Sequence, residues 1–347
     1  MFQLPQISPE TRAAARLASG QPIWLNHDGR YCWLLAAEGA LPNSLPGVGG
    51  QLFITAERAH HLGGPVETPI AMLKLPPRAD TLAALINPLR IGSSELLKDF
   101  EVKSVAATHP ATQAMFLIKQ TGLLPAFILG PQLGEPPVDA LMYDVSVAPV
   151  VSLTRISQAA LPLRAAPNAR ALTFRDQNAA THLAIIVGNP KLNEAPLVRL
   201  HSSCLTGDIL GSLRCDCGDQ LYAALTMMHE GEGGVLLYLD QEGRGIGLAN
   251  KLRAYQLQDG GMDTYAANNA LGFADDERDF SLAAALLREI SVGTVRLLTN
   301  NPKKVKQLET AGITVAARVP LVVDSNTHNA GYLAAKVTKG GHVMEND

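Results

Sequence analysis

Residues 201–218, HSSCLTGDILGSLRCDCG, lie between a short apolar run at Leu197–Leu200 and an amphipathic run at Gln220–Glu230. The first run has the length of a buried strand, and the second has the periodicity of a helix with one apolar face. The same alternation continues on both sides of this stretch. The predicted strands are Leu183–Val187, Leu197–Leu200, Gly234–Leu239, Thr294–Leu298 and Ile313–Ala316, and the predicted helices are Gln220–Glu230, Leu248–Asp259, Ser281–Ile290 and Pro302–Ala311. Short strands that alternate with helices are typical of an α/β or α+β domain.

The first part of the chain, up to about residue 155, is rich in Ala, Leu and Pro and carries few polar clusters. Its predicted strands are Pro22–Leu25, Tyr31–Ala36, Gln51–Thr55 and Pro125–Leu129, and its predicted helices are Asp80–Ile86 and Pro110–Thr121. The prolines of Ala159–Arg170 interrupt the periodicity and indicate a domain boundary. Since 347 residues correspond to two domains of about 150 residues each, we expect domains at 1–156 and 157–347.

Composition excludes several classes of protein. The net charge of −3 argues against a basic nucleic-acid-binding protein. The first residues, MFQLPQISPE, lack the basic start and apolar core of a signal peptide. The chain also lacks the apolar run of about 18 residues that a membrane span needs. We therefore expect a soluble cytoplasmic protein that binds neither nucleic acid nor membrane.

Three of the four cysteines form a cluster in the quoted stretch, with the spacing C-x10-C-x-C at Cys204, Cys215 and Cys217. Without a secretory signal, clustered cysteines indicate a metal site or catalysis instead of disulfides. Zinc is the expected occupant of such a site, and three cysteines leave its fourth position to water in a catalytic centre. The alternative is a closed structural site with His201 as fourth ligand. Cys32 is predicted to be a packing residue.

A glycine-rich segment, QEGRGIGL at Gln241–Leu248, directly follows a predicted strand. Glycines at every second position let backbone N–H groups approach an anion, and Arg244 adds a planar donor. The pattern is neither a Walker loop nor a dinucleotide fingerprint, and an ordinary glycine turn is the alternative. The helix that follows carries Lys251, Arg253 and Tyr255.

A second candidate phosphate site is TNNPKK at Thr299–Lys304, where Asn301 is the expected N-cap and Pro302 the first residue of a helix. A helix N-terminus with two nearby lysines attracts phosphate. The alternative is a capped surface helix without a ligand.

An acidic segment, ADDERDF at Ala274–Phe280, places Arg278 among four carboxylates. One interpretation of this segment is the solvated start of a helix. The other is a functional one, in which a carboxylate binds Mg²⁺ or accepts a proton beside an arginine that binds phosphate. Taken together, a zinc site and several phosphate-binding devices suggest hydrolysis of a nucleotide.

Six motifs in this part of the chain closely resemble GTP cyclohydrolase II in order and spacing. They are RLHSSCLTGD, SLRCDCG, QEGRGIGL, KLRAYQLQD, LGFADDERDF and VRLLTNNPKKV, and the resemblance extends over residues 157–342. It implies a mixed sheet with flanking helices. It also implies that Cys204, Cys215 and Cys217 hold one zinc ion with a water, which opens the guanine ring at C8 and releases formate.

The resemblance further assigns the phosphate chemistry. By this resemblance, Arg278 would be the nucleophile toward the α-phosphorus and would expel pyrophosphate with the help of Mg²⁺. Asp276 would be its proton acceptor, and Tyr255 would lie near the ring-opening chemistry. The implied product is the diaminopyrimidinone ribosyl phosphate that begins riboflavin synthesis, and the expected assembly is a homodimer. The implied GTP contacts are Arg199, Leu200, His201, Ser202, Ser203, Gln220, Glu242, Gly243, Arg244, Thr264, Thr299 and Lys304.

Two positions depart from the family pattern. Ser203 stands where the family usually has glutamate, and Asp240 where it commonly has arginine. The leading hypothesis is an active GTP cyclohydrolase II. The alternative is a GTP-binding regulatory or diverged paralogue, for example one that acts in pyrimidine breakdown.

The N-terminal part resembles a degenerate dihydroxybutanone-phosphate synthase, through AARLASGQPIWL, AAEGA, LFITAERA and HPATQAMFLIKQTGLLPA. Only Asn26–Arg30 remains of the acidic loop of that family, and His109–Ala111 of its H-T-E motif. A synthase that holds Mg²⁺ on carboxylates needs those acids. We therefore expect an α/β domain without catalytic activity, retained for folding, dimerisation or regulation.

Overall fold

The computed structural model describes residues 8–40, 50–76, 78–90, 96–132, 135–145, 152–324 and 327. These residues form two compact units. The N-terminal unit consists of residues 8–145 together with 246–277, and the C-terminal unit consists of residues 152–245 together with 278–324. Residues 246–277 include part of the predicted catalytic set.

The helices and strands alternate along the whole described chain. Residues 8–145 contain α1 (Pro9–Ala18), β1 (Ile23–His27), β2 (Arg30–Ala36), β3 (Gln51–Thr55), α2 (Ala56–His61), β4 (Ile70–Lys74), α3 (Ala79–Ile86), β5 (Val102–Val105), α4 (Pro110–Lys119), β6 (Ala126–Leu129) and β7 (Met142–Asp144). Residues 152–245 contain β8 (Leu153–Ala160), β9 (Ala169–Asp176), β10 (Thr181–Val187), β11 (Leu197–Ser202), α5 (Cys217–Glu230) and β12 (Gly234–Leu239). Then follow α6 (Gly247–Asp259), α7 (Thr264–Ala270), α8 (Ser281–Glu289), β13 (Thr294–Leu298), α9 (Pro302–Thr310) and β14 (Thr314–Val319).

The described strands of the N-terminal unit form one sheet in the order β5-β4-β3-β6-β2-β1-β7. Only the β1–β7 pair is parallel among them. Because successive side chains of a strand point to opposite faces, Leu34 of β2 packs toward α1 and α4, whereas Leu35 packs toward α2 and α3. The sheet is therefore covered by helices on both faces.

Helices α6 and α7 belong to the same unit and build a small apolar cluster of their own. Leu257 on α6 and Ala267 on α7 pack with Leu271 and Phe273 after α7, and with Leu124, which precedes β6. This cluster attaches residues 246–277 to the N-terminal part of the chain.

The described strands of the C-terminal unit form a second sheet in the order β14-β13-β11-β12-β10-β9-β8. Strands β14, β13, β11 and β12 are mutually parallel, and β12, β10, β9 and β8 are antiparallel. On β12, Val235 and Leu237 face α8 and α9, whereas Leu236 faces α5. The predicted mixed α/β sheet with flanking helices is confirmed.

The predicted helices and strands are present, with ends shifted by a few residues, and several further elements were not predicted. The proline-containing stretch at 159–170 connects β8 to β9, which pair with each other in one antiparallel ladder. The division of the chain into functional domains at residue 156 stays a prediction, and residues 1–7 and 328–347 of those domains lie outside the described residues.

Candidate active site

The three clustered cysteines converge in the C-terminal unit. Cys204 follows β11, Cys215 lies two residues before α5, and Cys217 is the first residue of α5. Their Sγ atoms all lie within 4.8 Å of one another. The distance from Cys204 Sγ to Cys215 Sγ is 3.7 Å. Thiolates around a tetrahedral zinc ion, with Zn–S bonds of about 2.3 Å, are separated by about 3.8 Å. The cluster is therefore compatible with a metal site.

A glycine makes this convergence possible. Gly207 lies in a π-helical turn at Leu205–Ile209, and its N–H donates to Cys204 Sγ over 3.3 Å. A Cβ atom at Gly207 would lie 2.8 Å from Cys215 Sγ and 3.1 Å from Cys204 Sγ. Any larger residue would push the sulfur atoms apart.

The electrostatics of the cluster favour a cation. Hydrogen bonding with Cys204, followed by burial, raises the pKa of Cys215 above its usual value. The pKa of Cys217 is raised well above its usual value, first by hydrogen bonds with Cys204 and Cys215. Cys215 and Cys217 therefore resist ionisation on their own, whereas a bound cation stabilises thiolates.

His201 does not belong to this cluster, which among the described residues contains only the three cysteines. Its Nε2 lies 3.0 Å from the carboxylate of Asp208, and its ring stacks on Tyr238 with centroids 5.4 Å apart. Burial lowers the pKa of His201. This geometry favours a three-cysteine site over the closed site with His201 as fourth ligand.

Asp208 is a residue that our sequence reasoning missed. Its Oδ2 also accepts the Cys204 N–H over 3.0 Å and the Tyr238 hydroxyl over 2.8 Å. The side chain is only 3% exposed. A single carboxylate thus fixes His201, Tyr238 and the backbone of a candidate metal ligand. The signal was present, because Asp208 is the last residue of the motif RLHSSCLTGD.

A buried polar chain starts at Arg199. Its Nη1 donates to the carbonyl of Leu298 over 2.9 Å, and its Nη2 donates to Gln220 Oε1. Gln220 in turn donates to the buried Asp216 over 2.5 Å. Arg199 Nε is buried and has no hydrogen-bond partner among the described residues. Burial lowers the pKa of Arg199 to about 10, so the group remains a cation near neutral pH.

The Thr299–Lys304 segment has the capping geometry that the sequence predicts. Asn301 caps α9 by accepting the Lys303 N–H over 2.9 Å, and Pro302 is the first helical residue. Lys304 is buried and donates to the Leu200 carbonyl over 3.0 Å. The buried Thr299 hydroxyl accepts the Asn301 N–H over 3.1 Å.

Two cations of the C-terminal unit meet at one aromatic ring. Lys304 Nζ lies 5.3 Å and Arg278 Cζ 5.2 Å from the centroid of the buried Phe280 ring. An aromatic face stabilises cations near it without neutralising their charge. The predicted residues Lys304 and Arg278 are thereby brought together.

The glycine-rich loop is held in an unusual backbone conformation. Gly243, Arg244 and Gly245 all have positive φ, of 64°, 63° and 90°. For Arg244 this left-handed conformation costs about 1 kcal/mol or more, which the surrounding structure must supply. Glu242 contributes by accepting the N–H of Leu205 over 2.6 Å and that of Gly243 over 2.9 Å. The loop is thus fastened to the segment that follows Cys204.

The neighbouring serines and Asp240 have different surroundings. Ser202 Oγ is buried without a hydrogen-bond partner among the described residues, whereas Ser203 Oγ accepts the Gln241 N–H over 3.2 Å. The side chain of Asp240 is exposed, and its backbone N–H donates to His182 over 3.1 Å.

Tyr255, Thr264 and Asp276 belong to the N-terminal unit. Tyr255 lies on α6, where the Lys251 ammonium is 5.9 Å from its ring centroid. Thr264 is the first residue of α7, and Asp276 is exposed. Two other acids of the same segment have structural roles. Glu277 pairs with Lys119, and Asp279 accepts the N–H of Ser281 over 2.8 Å.

The N-terminal unit contains a cavity of about 560 Å³. It lies beside the remnants of the synthase-like motifs, with His27, Arg30 and His109 in its wall, and its described lining includes no carboxylate. Catalytic inactivity of this part of the chain stays a prediction. Among the described helices, none is long and apolar enough to cross a membrane.

Comparison with known proteins agrees with this geometry. The family model of GTP cyclohydrolase II matches residues 154–320. A GTP cyclohydrolase-2 from Azospirillum brasilense is 41% identical over an alignment that covers 96% of this chain and 93% of the relative. Relatives of the same name from Baumannia cicadellinicola and Pectobacterium atrosepticum are 51% and 52% identical, and each match covers 56% of this chain and nearly all of the relative, 98% and 99%. The chain belongs to the GTP cyclohydrolase II family of hydrolases.

Proposed function

We propose that this protein is a zinc-dependent GTP cyclohydrolase II. It hydrolyses GTP to the diaminopyrimidinone ribosyl phosphate, formate and pyrophosphate, and so begins riboflavin synthesis. The observation that carries the proposal is the three-cysteine cluster, whose sulfur atoms lie within 4.8 Å of one another and whose neighbour His201 is engaged by Asp208. Three protein ligands and one position for water are the pattern of a catalytic zinc site.

Zinc, when bound, lowers the pKa of its water to about 7 and supplies the nucleophile for opening the guanine ring. The residues of the chain provide the surroundings for this step. Asp208 fixes His201 and the backbone of Cys204, and Gly207 lets the three sulfur atoms approach. Tyr255 is assigned to the same chemistry by its place in the KLRAYQLQD motif.

Buried cations of the C-terminal unit support binding of a triphosphate. Arg199 and Lys304 are 6% and 7% exposed, and Arg278 shares the Phe280 ring with Lys304. Charge-assisted hydrogen bonds from such groups are about twice as strong as neutral ones. Arg278 would attack the α-phosphorus as its proton passes to Asp276, so that an N–P bond forms while the bond to pyrophosphate breaks. Water would then hydrolyse the N–P bond, which frees the phosphate product and Arg278. Mg²⁺ would neutralise charge on the triphosphate. We further propose that the protein forms a homodimer.

The proposal is tested by incubating the purified, zinc-loaded protein with GTP and Mg²⁺ while formate and pyrophosphate are quantified together. Equal release of both products is expected. Cys217→Ser should abolish formate release, and Cys32→Ser, outside the cluster, should retain it. Pyrophosphate without formate would contradict the zinc-dependent step. Bound GTP with neither product would contradict the proposal and favour a regulatory paralogue.

A further inference from the structure

Residues 271–277 connect α7 to Arg278 and carry Asp276. This segment lies outside regular helices and strands, so its position depends on the contacts that it makes with its surroundings. Several of those contacts come from residues 8–145, which we call the N-terminal region, and others come from α6 and α7. The region lies outside the part of the chain that the family model matches, residues 154–320.

The start of the segment is fixed by two buried side chains of the N-terminal region. Arg58 Nη1 donates to the carbonyl of Ala270 over 2.7 Å, and Thr55 Oγ1 donates to the carbonyl of Gly272 over 2.7 Å. Gly272 has a φ of +90°, and a Cβ there would lie 2.9 Å from Pro125. The backbone of the segment is therefore packed directly against the N-terminal region.

The end of the segment is fixed by an ion pair. Lys119, the last residue of α4, donates to Glu277 Oε1 over 2.6 Å, and the two side chains are only 24% and 17% exposed. The same oxygen of Glu277 accepts the N–H of Ala274 over 2.8 Å. Glu277 thus closes the turn that contains Asp276 and ties it to α4.

Helix α6, which carries Tyr255, is attached in the same way. Arg253 pairs with Glu38, whose carboxylate also accepts the N–H of Leu124 over 2.7 Å. The buried Asn250 donates to the carbonyl of Gly122 over 3.0 Å. Polar groups at several points of the N-terminal region therefore hold α6 and residues 271–277, in addition to the apolar cluster around Leu124.

We propose that the N-terminal region is a scaffold that positions residues 271–277 for the reaction, and that Lys119 is a positioning residue that acts through Glu277. The inference rests on the proposed function, since it concerns the geometry of Asp276 and of the residue that follows Glu277. A displacement of about 1 Å in a reacting group can lower a rate up to about a hundredfold. Loss of the Lys119–Glu277 pair therefore slows turnover while the buried cations of the C-terminal unit continue to bind GTP.

The test compares the wild type with Lys119→Met, Lys119→Arg and the control Lys103→Met in the full chain. Lys103 pairs with Glu101 on the exposed surface of β5, where the two side chains are 58% and 78% exposed. In Lys119→Met, kcat for formate and pyrophosphate release should fall about tenfold or more with KM for GTP within about threefold. Lys119→Arg should restore most of kcat, and Lys103→Met should behave as the wild type.

A second measurement does not depend on activity. Amide hydrogen exchange of residues 271–277 should accelerate in Lys119→Met, whereas exchange in α5 should not change. Glu277→Gln, which keeps an oxygen for the Ala274 N–H, should give a smaller loss of kcat, and the double variant should lose no more than Lys119→Met alone. If Lys119→Met does not fold, the proposal is tested with the other two variants. It then requires that kcat falls in Glu277→Gln and is largely retained in Lys119→Arg.

The proposal is overturned if kcat of Lys119→Met stays within about twofold of the control, or if exchange of residues 271–277 is unchanged. Its failure differs from a failure of the proposed function. A wild type that releases neither formate nor pyrophosphate would refute the cyclohydrolase, while the exchange measurement would still decide whether Lys119 holds the segment.

Discussion

Each unit of the molecule contains a buried arginine, and the two arginines differ in how their nitrogen atoms are used. In the N-terminal unit, Arg58 donates from Nε, Nη1 and Nη2 to the carbonyls of Leu85, Ala270 and Ala84, at 2.7 to 2.9 Å. In the C-terminal unit, Arg199 uses both Nη atoms, but its Nε is buried without a partner among the described residues. Burial lowers the pKa of both groups to about 10, so ionisation does not distinguish them.

This difference supports the proposal that Arg199 binds a ligand, whereas Arg58 only stabilises the structure. A buried donor without a partner costs about 1–3 kcal/mol, so such a group needs an explanation. Each nitrogen of Arg58 donates to a main-chain oxygen, as expected for a group that holds the structure together. Arg199 and the neighbouring Ser202 Oγ keep unused polar atoms in the C-terminal unit.

The largest effect is expected from substitution of a cysteine. The clustered cysteines lie in the C-terminal unit, whereas Cys32 lies in the N-terminal unit. Cys217→Ser removes one of three sulfur ligands, so bound zinc should fall from about one per chain toward zero and formate release should drop more than about a hundredfold. The measurement is metal content together with formate release. Cys32→Ser, in β2, is the matched control. Its thiol lies outside the three-cysteine cluster. Equal zinc in both variants would contradict this assignment.

Smaller effects are expected from substitution of the two arginines. In the C-terminal unit the change should affect KM for GTP, and in the N-terminal unit it should affect stability. Arg199→Met should raise KM for GTP about tenfold to a hundredfold, because a charge-assisted bond contributes about 1.5–3 kcal/mol. Arg58→Met leaves three buried carbonyls without donors, and the free energy of unfolding should fall by about 3 kcal/mol or more.

The two variants are compared by steady-state kinetics and by denaturant unfolding. The contrast between the units fails if Arg199→Met lowers stability as much as Arg58→Met while KM stays unchanged. It also fails if Arg58→Met leaves the unfolding midpoint at its wild-type value.

Asp208 should show an effect of intermediate size within the C-terminal unit. Asp208→Asn keeps the shape but weakens the contacts to His201, Tyr238 and the Cys204 N–H, so zinc affinity should fall about tenfold to a hundredfold. Competition with a chelator measures this change. Asp219→Asn, at the exposed first turn of α5, is the control and should bind zinc as the wild type does. Equal zinc affinity in both variants would show that Asp208 has no part in the site.

The sequence predicted the cluster and the alternation of elements because these depend on local patterns. Cysteine spacing, the Asn301 cap and the apolar runs of β10 to β13 are properties of short segments, and the structure has them. Strand β8 was missed because it lies at the edge of the sheet with nearly all of its residues exposed, and it shows no alternation of apolar and polar residues.

Contacts between residues far apart in the chain could not be predicted from the sequence. No local pattern connects Lys119 with Glu277, which are 158 residues apart, or Arg58 with the carbonyl of Ala270, which are 212 residues apart. The acidic segment therefore looked uniform, although Glu277 pairs with Lys119 and Asp279 accepts the N–H of Ser281. Burial of Lys304 and Arg199 was likewise hidden, since charged residues are rarely buried without a reason in the tertiary structure.

The smallest effect is expected at Asp240, where the family commonly has arginine. Asp240→Asn keeps the backbone N–H that donates to His182 and removes only an exposed negative charge. Because that charge repels a triphosphate, KM for GTP should fall, but by no more than about threefold, since an exposed charge is screened within about 10 Å at 0.1 M salt. The difference should vanish at about 1 M salt, where the screening length is about 3 Å. A change larger than about tenfold, or one that persists at high salt, would show that Asp240 contacts the substrate directly, and the departure from the family pattern would then bear on substrate choice.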